Sequence, residues 1–195
     1  MMNERTETRT VVFAMCGSFC SFAAVLPQIR ELRRRGWAVL PLLSASAAAL
    51  DTRFGTAAQL RRTLRELTGR EPLTSLQQAE PLGPQKLADA MVIGPCTGTT
   101  LALLARGISG TAVTLAAKSL LRIGRPVVLA PSTNDGLSGS APALAALLQR
   151  RHYYFVPFGQ DDSYKKPNSL KSDFSQLPDA LESALRGVQI QPMLL

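Results

Sequence analysis

Of 195 residues, only one is histidine, one is tryptophan and three are cysteine, and aromatic side chains make up 6% of the chain. A single imidazole, His152, leaves no Cys/His zinc set, and the spacing of Cys16, Cys20 and Cys96 matches no finger or ribbon pattern. No metal site is therefore expected. The same scarcity excludes a Ser-His-Asp or Cys-His device unless His152 itself is the base. Three cysteines cannot all pair with one another, so they read as free thiols in a reducing compartment. Charge is sparse too, at 18% of residues, yet Gly, Pro and Ser break every apolar run well short of the ~20 residues a membrane-spanning helix needs. The opening MMNERTETRT has neither the charged leader nor the apolar stretch of a secretion signal. A soluble, cytoplasmic protein is expected, with residues 1–9 a flexible N-terminus.

What is abundant is core material. Hydrophobic residues make up 46% of the chain, and at about 150 residues per domain the length corresponds to one domain spanning 1–195. The net charge of +8 raises the question of nucleic acid. However, Arg33-Arg34-Arg35, Arg61-Arg62 and Arg150-Arg151 sit at exposed sides or ends of predicted helices, with no basic stripe interleaved with aromatics. Solvated helix faces explain them, and no nucleic-acid partner is expected.

Short continuous apolar runs alternate with amphipathic stretches. Residues 11–16, 38–43, 91–94, 126–130 and 153–156 read as buried strands. Helices are predicted over 22–35, 55–68, 99–106, 111–123, 142–151 and 178–186, the first with Phe22, Val25, Ile29 and Leu32 on one face. The stretch 70–87 reads as an irregular connection and Ser44-Ala45-Ser46 as a loop. Strands separated by helices imply right-handed crossovers, hence a three-layer α/β domain with a parallel sheet and helices on both faces.

In such a sheet, ligands bind beyond the carboxyl ends of the strands. Those ends carry Gly17-Ser18-Phe19-Cys20, Ser44-Ala45-Ser46, Pro95-Cys96-Thr97-Gly98-Thr99-Thr100 and Pro131-Ser132-Thr133-Asn134-Asp135-Gly136. They are rich in glycine and hydroxyl groups and poor in charge, which suits a phosphate held by backbone N–H groups at helix starts. Any one of these Ser or Thr residues is also an ordinary helix cap. Neither GxGxxG nor GxxxxGK[ST] is present, which disfavours NAD and ATP bound through those motifs.

Gly17-Ser18, Ser44 or Ser46, Pro95-x-Thr97-x-x-Thr100 and Pro131-x-x-Asn134 together resemble the flavoprotein family of homo-oligomeric FMN-containing cysteine decarboxylases. GSFCSFAAVLPQIREL (17–32), TRFG (52–55), EPLGP (80–84), PVVLAPSTND (126–135) and PFGQDDSYKKPNS (157–169) carry a closer match to the dipicolinate-forming branch from spore-forming bacteria. The resemblance implies a flavodoxin-like fold, a homo-oligomer and FMN at the sheet edge. Its contacts would fall on Gly17, Ser18, Phe19, Ser44, Ser46, Thr97, Thr99, Thr100 and Ser132, with Ser109 a further phosphate or ribityl contact. The departures are specific. Pro81 stands where the decarboxylases carry a catalytic His, Thr99 replaces the Asn of one family loop, and Thr133 replaces the Met of another, while Asn134 is retained.

The dipicolinate-forming relatives act with a second, dehydrogenase-like subunit that binds NAD(P). The implied activity is oxidation of dihydrodipicolinate, or its hydroxylated tetrahydro precursor, to dipicolinate in the mother cell during sporulation. The alternatives are an autonomous FMN-dependent decarboxylase or prenyltransferase-type enzyme, and a non-catalytic partner of the dehydrogenase-like chain. A dicarboxylate substrate needs cationic and amide donors; the candidates are Arg53, Lys165 with Lys166, Asn134 and Asn168. The polar loop 159–169 is a candidate lid or oligomer contact, or simply a solvated loop. Tyr164 in it is a candidate acid/base hydroxyl or an ordinary loop aromatic.

Overall fold

The computed structural model describes residues 8–195, so most of the expected flexible segment 1–9 lies outside the described residues. The chain runs β1 (Thr10–Met15), α1 (Phe22–Arg34), β2 (Ala38–Leu43), α2 (Ala45–Ala49), α3 (Ala57–Thr68), α4 (Leu76–Ala79) and β3 (Ala90–Cys96). It continues α5 (Gly98–Ala105), α6 (Ala112–Leu121), β4 (Val127–Thr133), α7 (Ala141–Leu148), β5 (Tyr153–Phe155), β6 (Phe158–Asp162), β7 (Lys166–Ser172) and α8 (Leu177–Leu185).

β2, β1, β3, β4 and β5 pair in parallel, in the 2-1-3-4-5 order of a doubly wound flavodoxin-like sheet. Alternation along the strands divides the core. Val12, Ala14, Ile93 and Leu129 face one way, onto α5, α6 and α7. Val11, Phe13, Val92 and Val128 face the other, onto α1, α3 and α8. This is the expected three-layer arrangement, and every buried parallel strand reads as an unbroken apolar run because both of its faces are covered. Local signals set the helix limits. Thr56 and Gln59 form a reciprocal capping box at the start of α3, and Gly69 closes it at φ 71°.

Four expectations need correction. The sheet is mixed, because the segment read as a polar loop at 159–169 is most of the β6–β7 hairpin. β7 runs antiparallel to β6 and to the carboxyl end of β4, pairing Ser132 with Lys171 and Thr133 with Leu170. β4 accordingly extends to Thr133 instead of stopping at 130. Ser44-Ala45-Ser46 is no loop, since Ser44 caps the short α2 by accepting from the Ala47 N–H. The stretch 70–87 contains α4 and a 3-10 turn at Glu80–Leu82. Here the Ser119 hydroxyl bridges the Glu80 carbonyl and the Gly83 N–H, fastening this segment to α6.

Candidate functional site

The carboxyl ends of β1, β3 and β4 open into a cleft of about 600 Å³, the size of an ordinary small-ligand site. Beyond β1 the chain turns through Gly17, where an added Cβ would sit 3.3 Å from the Ser46 Cβ. It then enters a 3-10 turn, Phe19–Ser21, that leads into α1. Ser18 and Ser21 stand at the cap positions of these two segments, yet neither side chain caps. Their hydroxyls turn instead to Ser132 at the end of β4. Ser132 Oγ lies 2.8 Å from Ser18 Oγ and 2.9 Å from Ser21 Oγ, and the two latter are 3.3 Å apart. The Ser18 and Ser21 N–H groups are already spent on the Cys16 and Ser18 carbonyls, so it is the hydroxyls of these two residues that remain to make the site's contacts.

β3 delivers Thr97, which does cap: its Oγ1 accepts from the Thr100 N–H at the start of α5. Thr100 lies beneath the cleft and donates to Cys16 Sγ at 3.3 Å. Burial pushes the Cys16 thiol up to about 11 and raises that of Cys96 as well, so both stay neutral. β4 ends in Thr133, and Asn134 and Asp135 follow. Asp135 Oδ1 accepts from Thr133 Oγ1 at 2.5 Å and from Ser140 Oγ at 2.8 Å, and these hydroxyls hold its carboxyl below the usual value. Gly98 packs directly on this group, because a Cβ there would fall 2.5 Å from Ser140 Oγ.

The hairpin adds the charged part of the wall. Lys166 Nζ donates to Asp161 Oδ2 at 2.8 Å, and Lys171 Nζ lies 4.0 Å from Asp161 Oδ1. The hydrogen bond to Lys166 lowers the Asp161 carboxyl, and Asp161 in turn raises the Lys166 ammonium. The strand ends are as poor in charge as the sequence suggests, but the finished cleft also presents two lysines and two aspartates.

The structure brings Gly17, Ser18, Phe19, Thr97, Thr99, Ser132 and Asn134 to the cleft wall. Other candidates fall elsewhere. Ser44 is spent on its cap, and Ser46 backs Gly17 without reaching the wall. Ser109 lines a different hollow, with Lys118 Nζ at 3.3 Å. Arg53 is off the wall, its guanidinium stacked over the neighbouring Phe54 ring, and it is Phe54 that reaches the cleft. Lys165 lies in the hairpin turn, where its N–H donates to Asp162 Oδ1; Lys166 and Lys171 hold the cationic positions instead. Tyr164 is 96% exposed at the tip, and Asn168 serves through its backbone, whose carbonyl accepts from the Leu137 N–H. Sequence reasoning missed Ser21, Phe54, Asp135 and Lys171. The available signal for Ser21 was its place one turn after Ser18; for Lys171 it was β7, which was not recognised. The wall contains no histidine, and Pro81 sits in the 3-10 turn beside α6.

The flavoprotein family model matches residues 2–167 of this chain. The chain belongs to the flavoprotein family. The B subunit of dipicolinate synthase from Bacillus subtilis (strain 168) is 41% identical to this flavoprotein over 187 residues, covering 96% of this chain and 94% of that protein. The crystal structure of the dipicolinate synthase B subunit from Bacillus halodurans C superposes with a TM-score of 0.88 at 37% identity, over 96% of each chain. The FMN-dependent cysteine decarboxylase SpaF superposes with a TM-score of 0.67 at 25% identity, over 90% of this flavoprotein and 97% of that chain.

Proposed function

We propose that this flavoprotein is the B subunit of a dipicolinate synthase, working in the cytoplasm with a dehydrogenase-like partner chain to oxidise a dihydropyridine dicarboxylate to dipicolinate. The observation that carries the reading is the cluster of Ser18, Ser21 and Ser132 at the head of the cleft. Two helix-start serines forgo capping, and their hydroxyls converge with that of Ser132 on the cleft, where they offer donors to a polar or anionic ligand. The identity to the dipicolinate synthase chain of Bacillus subtilis supplies the substrate class.

The residues fit a flavin mononucleotide: Gly17, Ser18, Phe19, Thr97, Thr99, Ser132 and Asn134 would hold it. When bound, the flavin supplies a two-electron acceptor, a role that NAD(P) on the dehydrogenase-like partner also offers. Lys166 and Lys171 give the substrate carboxylates two cationic partners, and Asp161 holds the Lys166 ammonium by a hydrogen bond and lies near that of Lys171. Asn134 adds an amide donor, and Phe54 an apolar face for a flat ring. The β6–β7 hairpin supplies Asp161, Lys166, Ser169, Leu170 and Lys171 to the cleft wall. Assembly into a homo-oligomer is part of the proposal.

The similarity to the decarboxylase SpaF supports a second reading, an autonomous FMN-dependent decarboxylase. The cleft wall offers no imidazole for it. One experiment separates the readings: this chain and the dehydrogenase-like partner are mixed with the dihydropyridine dicarboxylate, and the absorbance of the aromatic product is followed with FMN or NAD(P) omitted in turn. Product formation that needs both chains and falls in Lys166→Ala supports the proposal. Turnover of a cysteinyl peptide by this chain alone, or activity of the dehydrogenase-like partner indifferent to this chain, overturns it.

A further inference from the structure

A second cavity, of about 490 Å³, opens at the opposite edge of the sheet, beside the segments that enter β4 and β5. Lys118 and Arg122 reach it from the end of α6, and Arg150, Arg151 and His152 from the link between α7 and β5. No carboxylate lines it, and none of the ion pairs among the described residues involves any of these five side chains. Some surface arginines do face acids, as Arg34 and Arg35 face Glu31 and Arg61 faces Glu71, but here several cations share one hollow with none. Lys118, Arg122, Arg150 and Arg151 around one hollow without counter-charge make a field that attracts an anion.

Two of these groups are held in place. The Arg150 guanidinium donates to the Leu104 carbonyl at 2.9 Å and the Ala105 carbonyl at 2.5 Å, closing the end of α5. Lys118 Nζ lies 3.3 Å from Ser109 Oγ. Between the cations the wall is apolar, formed by Leu104, Ile108, Leu121 and Tyr153. A guanidinium-rich rim suits a phosphate or diphosphate, whose oxygens accept paired N–H bonds. An apolar wall of this extent suits a ligand that also carries a flat or aliphatic body. We propose that this cavity is a second, separate binding site for an organic phosphate of nucleotide size.

The test uses the purified full chain and calorimetric titration with ADP and, separately, inorganic pyrophosphate, at about 0.1 M salt so that loose surface attraction is screened. ADP is expected to bind at least roughly tenfold more tightly than pyrophosphate, because only ADP covers the apolar wall. The double variant Lys118→Glu/Arg122→Glu alters two exposed side chains at the end of α6. It should weaken ADP binding by roughly a hundredfold, from the loss of two charge-assisted contacts, while its unliganded melting temperature stays close to that of the parent. ADP binding should also survive Ser18→Trp, which obstructs the flavin cleft at the other edge and therefore bears on the flavin reading alone. Absence of heat with millimolar-range ADP, equal affinity for pyrophosphate, unchanged binding in the double variant, or loss of ADP binding in Ser18→Trp would each overturn the proposal.

Discussion

Replacing Ser132 with alanine tests whether the hydroxyl cluster at the head of the cleft holds the loops together. Ser132 Oγ makes contacts of 2.8 Å with Ser18 and 2.9 Å with Ser21, joining the end of β4 to the turn after β1 across more than a hundred residues of sequence. Both bonds vanish in Ser132→Ala. Ser21, only 1% exposed, keeps the 3.3 Å contact with Ser18, so no buried hydroxyl is orphaned. Two neutral hydrogen bonds at about 0.5–1.5 kcal/mol each give a loss of about 1–3 kcal/mol. For a chain of this size the melting temperature should fall by roughly 2–4 °C per kcal/mol, hence about 2–12 °C. Thermal unfolding followed by circular dichroism measures it, and a Ser18→Ala/Ser132→Ala cycle isolates the coupling between the two loops. A melting temperature within about a degree of the parent, with zero coupling in the cycle, would refute the claim that these hydroxyls fasten the site.

Three further outcomes are expected. The Asp135 carboxyl is held below its ordinary value of 3.8 by the Thr133 and Ser140 hydroxyls, so the unfolded chain takes up its proton first. The stabilisation is therefore complete above that value and is lost as pH falls from it toward the lower folded-state value. Melting temperatures of the parent and Asp135→Asn measured across this acid range should converge as pH drops; a constant gap would contradict the assignment. Brief alkylation of the native protein near neutral pH, read by mass spectrometry, should modify exposed Cys20 and spare Cys16 and Cys96, whose thiols are buried and raised. Early labelling of Cys16 would show that its cover of Thr100 and α5 opens readily. Gly83→Ala drives a Cβ into the Ser119 carbonyl oxygen, a clash with backbone that should cost about 1–3 kcal/mol or more in thermal or denaturant unfolding. Unchanged stability would show that the contact between this segment and α6 yields freely.

The parallel part of the fold was legible because its strands are covered on both faces. Val11–Cys16, Ala38–Leu43 and Met91–Gly94 have no solvent side and therefore show as apolar runs, and the helices between them show the three- and four-residue spacing of a single buried face. The hairpin was not legible for the converse reason. In GQDDSYKKPNS the strand residues are largely solvated, so no alternation marks them; what fixes β7 is its pairing with the end of β4, a long-range contact. That one omission also misassigned the cationic position. Asp162 accepts from the N–H groups of Tyr164 and Lys165 and so confines Lys165 to the turn, leaving Lys166 and, further along, Lys171 on the cleft side. The hydroxyl-rich strand ends pointed to the edge of the sheet where the cleft opens, but not to the division of labour there. Ser44 and Thr97 are caps, as Ser and Thr at helix starts commonly are, whereas Ser18 and Ser132 find each other only once β1 and β4 flank β3 in the sheet.

The most direct test of the central claim is titration of the purified chain with FMN, followed by flavin fluorescence, for the parent and for Ser18→Trp. Saturable binding of one FMN per chain is expected, with a rise in melting temperature in excess FMN. Both should be abolished in Ser18→Trp, which still unfolds in one cooperative transition, at a lower temperature because its contacts with Ser21 and Ser132 are lost. Failure of the parent to bind FMN, or binding that persists unchanged in Ser18→Trp, would contradict the claim.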